Sequence, residues 1–584
     1  MNKLSKLALG AMAFIVASCS SEEPVINSGN DVNADGDVYA TLNLKLPTGG
    51  TRAANQGEEF GQDKENFVGK ILVMLATKDA DGKNYNYLTY SEADAISGGV
   101  ESPGHLGDYD SDNHKAQKEL KYTLTFSAKD MKGNSQLEVA QNQEVYVFVF
   151  CNPTERLQGI IGNWEKGYNF TSAGVTGMIS NTNTIWGDNK FLMTNCEISK
   201  AVKIPAKSEL ISKYNKPENA LNLGTVHVKR VAARFDFALG GDNGDNKYDI
   251  LDVTSSTPNT KMGTVELTQM AMFNIAKYFN YLPRTNSSWS WAPETTELCG
   301  NLEQGYVMSF NEGGFKSAAT LTNHQKYYFA NLIGNTFAEG ETVDDLTESS
   351  TKLVWTSIKP DDWNNNHGED IDDGWTQTPK NQYRIWRYAT ENTIPQSGGD
   401  IATASQRVGI TTGVVFKGEF TPVDKDRWNG DAIYVYNNVV YGNFAALKKY
   451  VTDYPETVVA KEFEQVSAFK NVSATADSKV SLIKNLGKDA CHGFKAYEAT
   501  NGKYIMYYFY YNRHNNNNNN NKMGENEFGV VRNNVYKLQV TKCGSLGEPK
   551  APENPDNPDE EENAYFTVSC HVMPWTVRIN NIEF

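Results

Sequence analysis

Apolar and polar residues alternate along this chain in short stretches, each closed by Gly, Asn or Asp. In the first, VYATLNLKL, residues Val38, Ala40, Leu42, Leu44 and Leu46 share one face, and Tyr39, Thr41, Asn43 and Lys45 share the other. A period of two over this length predicts a half-buried strand. FVGKILVMLAT (67–77), KYTLTFS (121–127) and EVYVFVFCN (144–152) are apolar runs of strand length between turn residues. HVKRVAARFDFAL (227–239) predicts another strand, with Val228, Arg230, Ala232 and Arg234 opposite Val231, Ala233, Phe235 and Phe237. The run GGDNGDN (240–246) then breaks the pattern and reads as a domain boundary. Beyond it the strand pattern resumes in YDILDVT (248–254), TVELTQMAMFNIAKYF (264–279), TTGVVFKGEF (411–420), DAIYVYNNVVYG (431–442), KYIMYYFYY (503–511) and NNVYKLQVTKC (533–543). FAALKKYVTDY (444–454) is the best helix candidate, with Phe444, Leu447 and Val451 spaced by three and four.

The two ends of the chain differ from the body. Lys3 and Lys6 precede an apolar run from Leu7 to Val16, which is too short to span a bilayer, and small residues lead to Cys19. This is the pattern of a signal peptide over residues 1–18, and VASC (16–19) resembles a lipobox whose Cys19 becomes the lipidated first residue. Ser20, Ser21, Glu22 and Glu23 follow, an acidic start like that of exported surface lipoproteins. After the strand of residues 38–46 comes PTGGTRAANQGEE, a small and polar link with Arg52 as its lone basic residue, open to nicking. At the other end, residues 547–564 are rich in Pro and acid and predict an extended spacer. The closing segment, 565–584, alternates at Phe566, Val568, Cys570 and Val572. It then changes phase past Pro574, to Trp575, Val577 and Ile579, which predicts a bulge or break there. An apolar strand at a sheet edge invites pairing with another chain.

Composition agrees with a folded, mainly β protein. Of the 584 residues, 39% are hydrophobic and 11% aromatic, which excludes a disordered tail, a coiled coil or a multi-span membrane protein. The net charge of −16 argues against nucleic acid as a partner. Apart from Cys19, six cysteines are scattered with no CxxC, so they read as buried small hydrophobes. Asn515 to Asn521 reads as a solvated hairpin loop. Candidate chemistry is thin: no GxSxG, HExxH, Walker loop or GxGxxG after a strand occurs, and no enzyme, cofactor or metal is expected. DVNADGD (31–37) opens like a calcium loop, but Leu42 takes the twelfth position, where a bidentate Glu is needed. HGEDIDD (367–373) reads as a solvated acidic loop, and Asp361, Asp362 and Trp363 carry no spacing that defines a glycosidase.

Taken in order, several of these features resemble the Bacteroidales fimbrillins, the stalk subunits of type V pili, and the short-fimbria stalk subunit most of all. The features are Cys19, the early strand followed by Arg52 and Ala53, FLMTN (191–195), VKRVAARFDF (228–237) and YATENT (388–393). TTGVVFKGEF, VVRNNVYKLQVTKCGSLGEP (530–549) and the closing VMPWTVRINNIEF complete the set. The resemblance implies two tandem transthyretin-like β-sandwich domains, over residues 53–239 and 247–546. It also implies export to the outer membrane as a lipoprotein anchored through Cys19, and trimming after Arg52 by an arginine-specific maturation protease, so that residues 19–52 are a propeptide. Trimming removes a placeholder strand (Val38, Ala40, Leu42, Leu44, Leu46). A neighbour's donor strand (Phe566, Val568, Val572, Trp575, Val577, Ile579) then fills the groove. The implied partners are other copies of the chain and accessory or anchor subunits of a cell-surface fimbrium. A surface glycan-binding lipoprotein, or a tip or accessory adhesin, is the alternative reading of the same features.

Overall fold

The computed structural model describes residues 37–45, 59–60, 63–94, 109–110, 115–116, 119–126, 137–173, 176–178, 185–187, 191–251, 260–286, 297–300, 306–307, 309, 329–330, 353–366, 383–393, 411–424, 428, 430–473, 479–487, 489–515, 527–550 and 566–576. The fold is mainly β, as the alternation predicts, and its two largest hydrophobic cores divide along the chain except for Val535, which joins the first.

The first unit is one large sheet. Its strands are β1 (Val38–Lys45), β2 (Lys70–Lys78), β3 (Tyr85–Asp94), β4 (Glu119–Phe126), β5 (Glu144–Cys151), β6 (Met193–Asn195) and β7 (Leu221–Arg230), in the spatial order β3-β2-β5-β6-β7-β1-β4; the short strand Val202–Lys203 adds to β5. The two ends of this order meet, for Ser91 on β3 donates its hydroxyl to the Thr125 carbonyl on β4 at 2.7 Å. The enclosed core takes alternate residues from the strands around it, among them Leu42, Val73, Leu124, Val147 and Val226. β2 and β5 are also covered on their other face. There Leu72, Met74, Phe148 and Phe150 pack with Leu157 and Ile161 of helix α1 (Glu155–Gly162) and with Trp164 and Phe170. Burial on both faces is why these two strands read as unbroken apolar runs while β1 alternates.

The second unit is a sandwich of two sheets. Its strands are β8 (Ala233–Ala238), β9 (Lys247–Leu251), β10 (Lys261–Phe273), β11 (Arg384–Ala389), β12 (Gly413–Pro422), β13 (Lys503–Tyr511), β14 (Asn534–Cys543) and β15 (Phe566–Thr576). One sheet runs from the two-residue strand Glu59–Phe60 through β15, β14 and β8 to β11; the other runs β9-β10-β12-β13 and ends on Ala499–Thr500. Phe235, Phe237, Tyr536, Leu538 and Val540 of the first face Val265, Leu267, Met270, Phe416 and Met506 of the second.

Two features differ from the sequence reading. The run 227–239 is two strands in different sheets: β7 ends at Arg230, and β8 starts at Ala233, parallel to β14. The chain therefore crosses between units at Val231 and Ala232, ahead of the 240–246 run. Both residues are buried at the crossing, where Val231 N–H donates to Leu192 and Ala232 C=O accepts from Asn533. The glycine run is instead a tight loop within the second unit. A Cβ on Gly240 would lie 2.0 Å from the Val540 carbonyl, so no larger residue fits. Between β12 and β13 the chain also forms a small satellite core. It includes helix α2 (Phe444–Asp453), on which Phe444, Leu447 and Val451 are buried as the spacing predicts, and helix α3 (Val458–Phe463), which the sequence reading missed. Short polar caps start both: Asn443 accepts from Ala446 N–H, and Thr457 from Ala460 N–H.

Just past β13, His514 is buried at the start of the asparagine-rich segment, with Tyr536 Oη at 3.0 Å from Nδ1. Tyr536 Oη also accepts from Val531 N–H. The ends of the segment are brought together by the Arg513–Glu527 ion pair and by His514 N–H donating to the Glu527 carbonyl. Burial pulls the His514 imidazole down to about 4, so it stays neutral in the fold. The unfolded chain binds a proton near 6.5, so the stability held at neutral pH is lost as pH falls from 6.5 toward 4, to roughly 3 kcal/mol. Urea midpoints measured across that range should fall more steeply for the native chain than for His514→Gln.

Candidate functional site

β1 occupies an interior seat in the first sheet, next to the last strand, with a partner along each edge. It runs antiparallel to β4 in unbroken register from Val38↔Phe126 to Lys45↔Glu119. It runs parallel to β7 from Ala40↔Leu221 to Lys45↔His227, with one irregularity between Thr41 and Asn43. That irregularity is built into β7, where Gly224 adopts φ +88° and its N–H is held by the Asn222 side chain at 2.8 Å. Val38, Ala40, Leu42 and Leu44 all point into the core and are buried. The three larger ones contribute about 5–9 kcal/mol of apolar burial before ordering costs. The chain runs from β1 to its sheet neighbours past Lys45, through the link that contains Arg52. Removing it would leave an open slot between β7 and β4, lined by the residues that now pack on it.

β15 differs in one essential respect. It pairs antiparallel with β14 along its length, from Cys543↔Phe566 to Asn534↔Pro574, so it folds back on its own sandwich. Its other edge meets Glu59–Phe60, at Trp575 and Thr576 alone. Among the described residues no strand pairs with that outer edge from Phe566 to Pro574. The strand runs through Pro574, and the register irregularity lies at its other end, opposite Val540 and Lys542, so the break expected at the proline is absent. An edge strand tolerates a proline, which lacks only the donor that would face outward.

A buried polar cluster joins the two units. Arg234 on β8 grips Asp236 through two bonds of 2.9 Å and donates to Glu65 at 3.0 Å; Tyr388 on β11 donates to the same carboxylate at 2.5 Å. Arg230, at the end of β7, donates to the Glu65 carbonyl, to Asn66 and to Asn533. Burial pulls its guanidinium down to about 9, while the Glu65 carboxylate works against that shift. Nearby, Arg532 pairs with Glu391 at 2.6 Å and also donates to the backbone carbonyls of Asn280 and Tyr281. Burial pushes the Glu391 carboxyl up, and Arg532 opposes it. Two arginines, Arg230 and Arg234, thus meet two carboxylates, Glu65 and Asp236, and removing one member of such a set costs about 3–5 kcal/mol. The sequence signal for this joint was charge inside apolar strands, in VKRVAARFDF and VVRNN. Glu65, in the single turn Asp63–Asn66, had no signal.

Other residues named from sequence separate as follows. Leu46, Cys19, Arg52, Ala53, Val577, Ile579 and residues 367–373 lie outside the described residues. Of Phe566, Val568, Val572 and Trp575, the structure gives the strand and register stated above. Asp361 and Asp362 are exposed, the latter accepting from Ser357 at 2.6 Å, while Trp363 is a core ring packed edge-on against Phe237. Cys151, Cys196, Cys299, Cys491 and Cys543 are free thiols, and burial pushes Cys196 up to about 12. Among the described residues no three His, Cys, Asp or Glu gather as metal ligands.

Residues 500–581, spanning β13, β14 and β15, match the family described as "Major fimbrial subunit protein type IV, Fimbrillin, C-terminal". The match bears out the fimbrillin resemblance read from sequence over this region, and it does not specify a short-fimbria subunit. No curated protein matches the chain. Among solved structures, a fimbrilin of Porphyromonas gingivalis is 14% identical, with TM-score 0.33, over 94% of this chain and 100% of its own. The tip fimbrial protein Mfa3 of the same organism, with a C-terminal truncation, is 9% identical, with TM-score 0.31, over 92% of this chain and 100% of its own. A candidate cell adhesion protein of Parabacteroides distasonis is 10% identical, with TM-score 0.37, over 94% of this chain and 99% of its own.

If β1 is seated as described, Leu42→Ala in the unprocessed chain should cost about 2–5 kcal/mol in urea denaturation. Thr41→Ala, on the outward face, should stay within about 0.5 kcal/mol.

Proposed function

We propose that the chain is a structural subunit of a cell-surface fimbrium that polymerises by exchange of strands between copies. In this reading it is exported as a lipoprotein through Cys19 and trimmed after Arg52. The terminal segment 565–584 of the next copy then takes the seat that β1 leaves. One observation carries the reading: β1 is bonded along both edges, whereas β15 has a full-length partner on only one. A terminal strand that moves from its own sandwich into the vacated seat gives up one long ladder and gains two. Cleavage makes the exchange run one way, because the departing β1 becomes a separate peptide and loses the high local concentration that tied it to its slot. This is strand addition between chains. Donor and seat belong to different units of the chain, so the contact is head-to-tail and extends into an open filament. The partners are then other copies of itself, accessory or anchor subunits at the filament ends, the maturation protease, and outer-membrane lipid before processing.

Arg52→Ala should give a folded, lipidated monomer that forms no filaments, read by electron microscopy and by the mature N-terminus. Normal filaments from that variant would rule out processing at this position. A chain ending before Tyr565 should keep the first unit folded and accept a donor, yet fail to elongate.

A further inference from the structure

The two-residue strand Glu59–Phe60 lies, in chain order, between Arg52 and the buried Glu65, and it is the outer partner of the terminal strand. The pairing is parallel, Glu59 opposite Trp575 and Phe60 opposite Thr576. Downstream, Glu65 is fixed by Arg234 and Tyr388 at the joint between the units. Upstream, the chain leads back to β1, which is locked in the first sheet on both edges. Glu59–Phe60 therefore lies in a stretch of chain anchored at β1 before it and at Glu65 after it, and such closure holds so short a strand against its partner.

We propose that Glu59–Phe60 is a latch that keeps the terminal strand on its own sandwich until cleavage after Arg52 turns the latch into a chain end. The inference rests on the processing described above. The cut severs the upstream anchor, so the residues before Glu65 become a free terminus and fray. β15 is then held by β14 alone. A single cleavage thus does two things: it makes the seat of β1 vacable and loosens the donor. The unprocessed subunit can neither accept nor donate a strand, so assembly is blocked at both ends until maturation.

Native-state hydrogen exchange on the full chain, carrying Cys19→Ala to keep it soluble and held at a concentration where light scattering shows the cut chain still monomeric, tests this in the monomer. Three samples are compared: the uncut chain, the same chain cut after Arg52 by an arginine-specific protease, and uncut Phe60→Pro, made together with Glu59→Pro so that neither latch residue keeps an N–H. Peptides covering residues 566–576 should exchange roughly two- to tenfold faster in the second and third samples than in the first. Peptides from β10 and β12 should exchange equally in all three, which shows that the double variant still folds. In the double variant, peptides from β1 should also be unchanged. Equal exchange of 566–576 in all samples, or acceleration by the double substitution without acceleration by cleavage, would overturn the latch. Because the readout is on monomers, a failure of filament assembly with the exchange pattern intact would count against polymerisation and leave the latch standing.

Discussion

The structure depends on the placement of one strand. β1 lies inside a sheet, between β7 and β4, so its backbone is bonded on both sides and its four inward residues complete the core. An interior strand is ordinarily the least removable part of a sheet. Here it is the first strand among the described residues, and the chain runs from it to its sheet neighbours through the link that contains Arg52. Strong non-covalent attachment and a severable covalent link to its sheet are what a placeholder requires. The strand must be secure enough for the unit to fold, yet separable by one cut.

Two segments far apart in the chain converge on the second unit. β15 adds to β14 at the rim of the sandwich, and Glu59–Phe60 caps its far end. Between them the cluster of Glu65, Arg230, Arg234, Asp236 and Tyr388 pins the chain just downstream of the link. Opposite charges balance within the cluster, and its ion pairs are buried, so directional bonds add to the apolar packing of Val535 and Tyr281 where the units meet. In the proposed processing, the cluster keeps the chain from Glu65 onward in place, so fraying of the new terminus stops at Glu65.

Much of this was legible in the sequence because the signals were local. The two-residue alternation of β1 and the spacing of Phe444, Leu447 and Val451 each describe a surface half buried against a core, and both elements form where expected. Crossing between units was illegible, because Val231 and Ala232 are apolar like the strands on either side, and only pairing partners far along the chain separate β7 from β8. Pro574 misled for a related reason. A proline breaks a central strand but not an outer edge, and which edge a strand occupies is a property of topology. Glu65 was hidden because one acidic residue in a polar stretch looks solvated until Arg234 and Tyr388 are folded around it.

The most direct measurement is site-specific photo-cross-linking within assembled filaments, from a probe placed at Thr123 on β4, directly opposite Thr41 of the seated β1. If an adjoining copy fills that seat, the adduct will be recovered on residues 565–584 of a different molecule, and on residues 38–45 of the same molecule only before cleavage. Filaments whose adducts stay on residues 38–45, or that place no residue of 565–584 beside Thr123, would contradict the account.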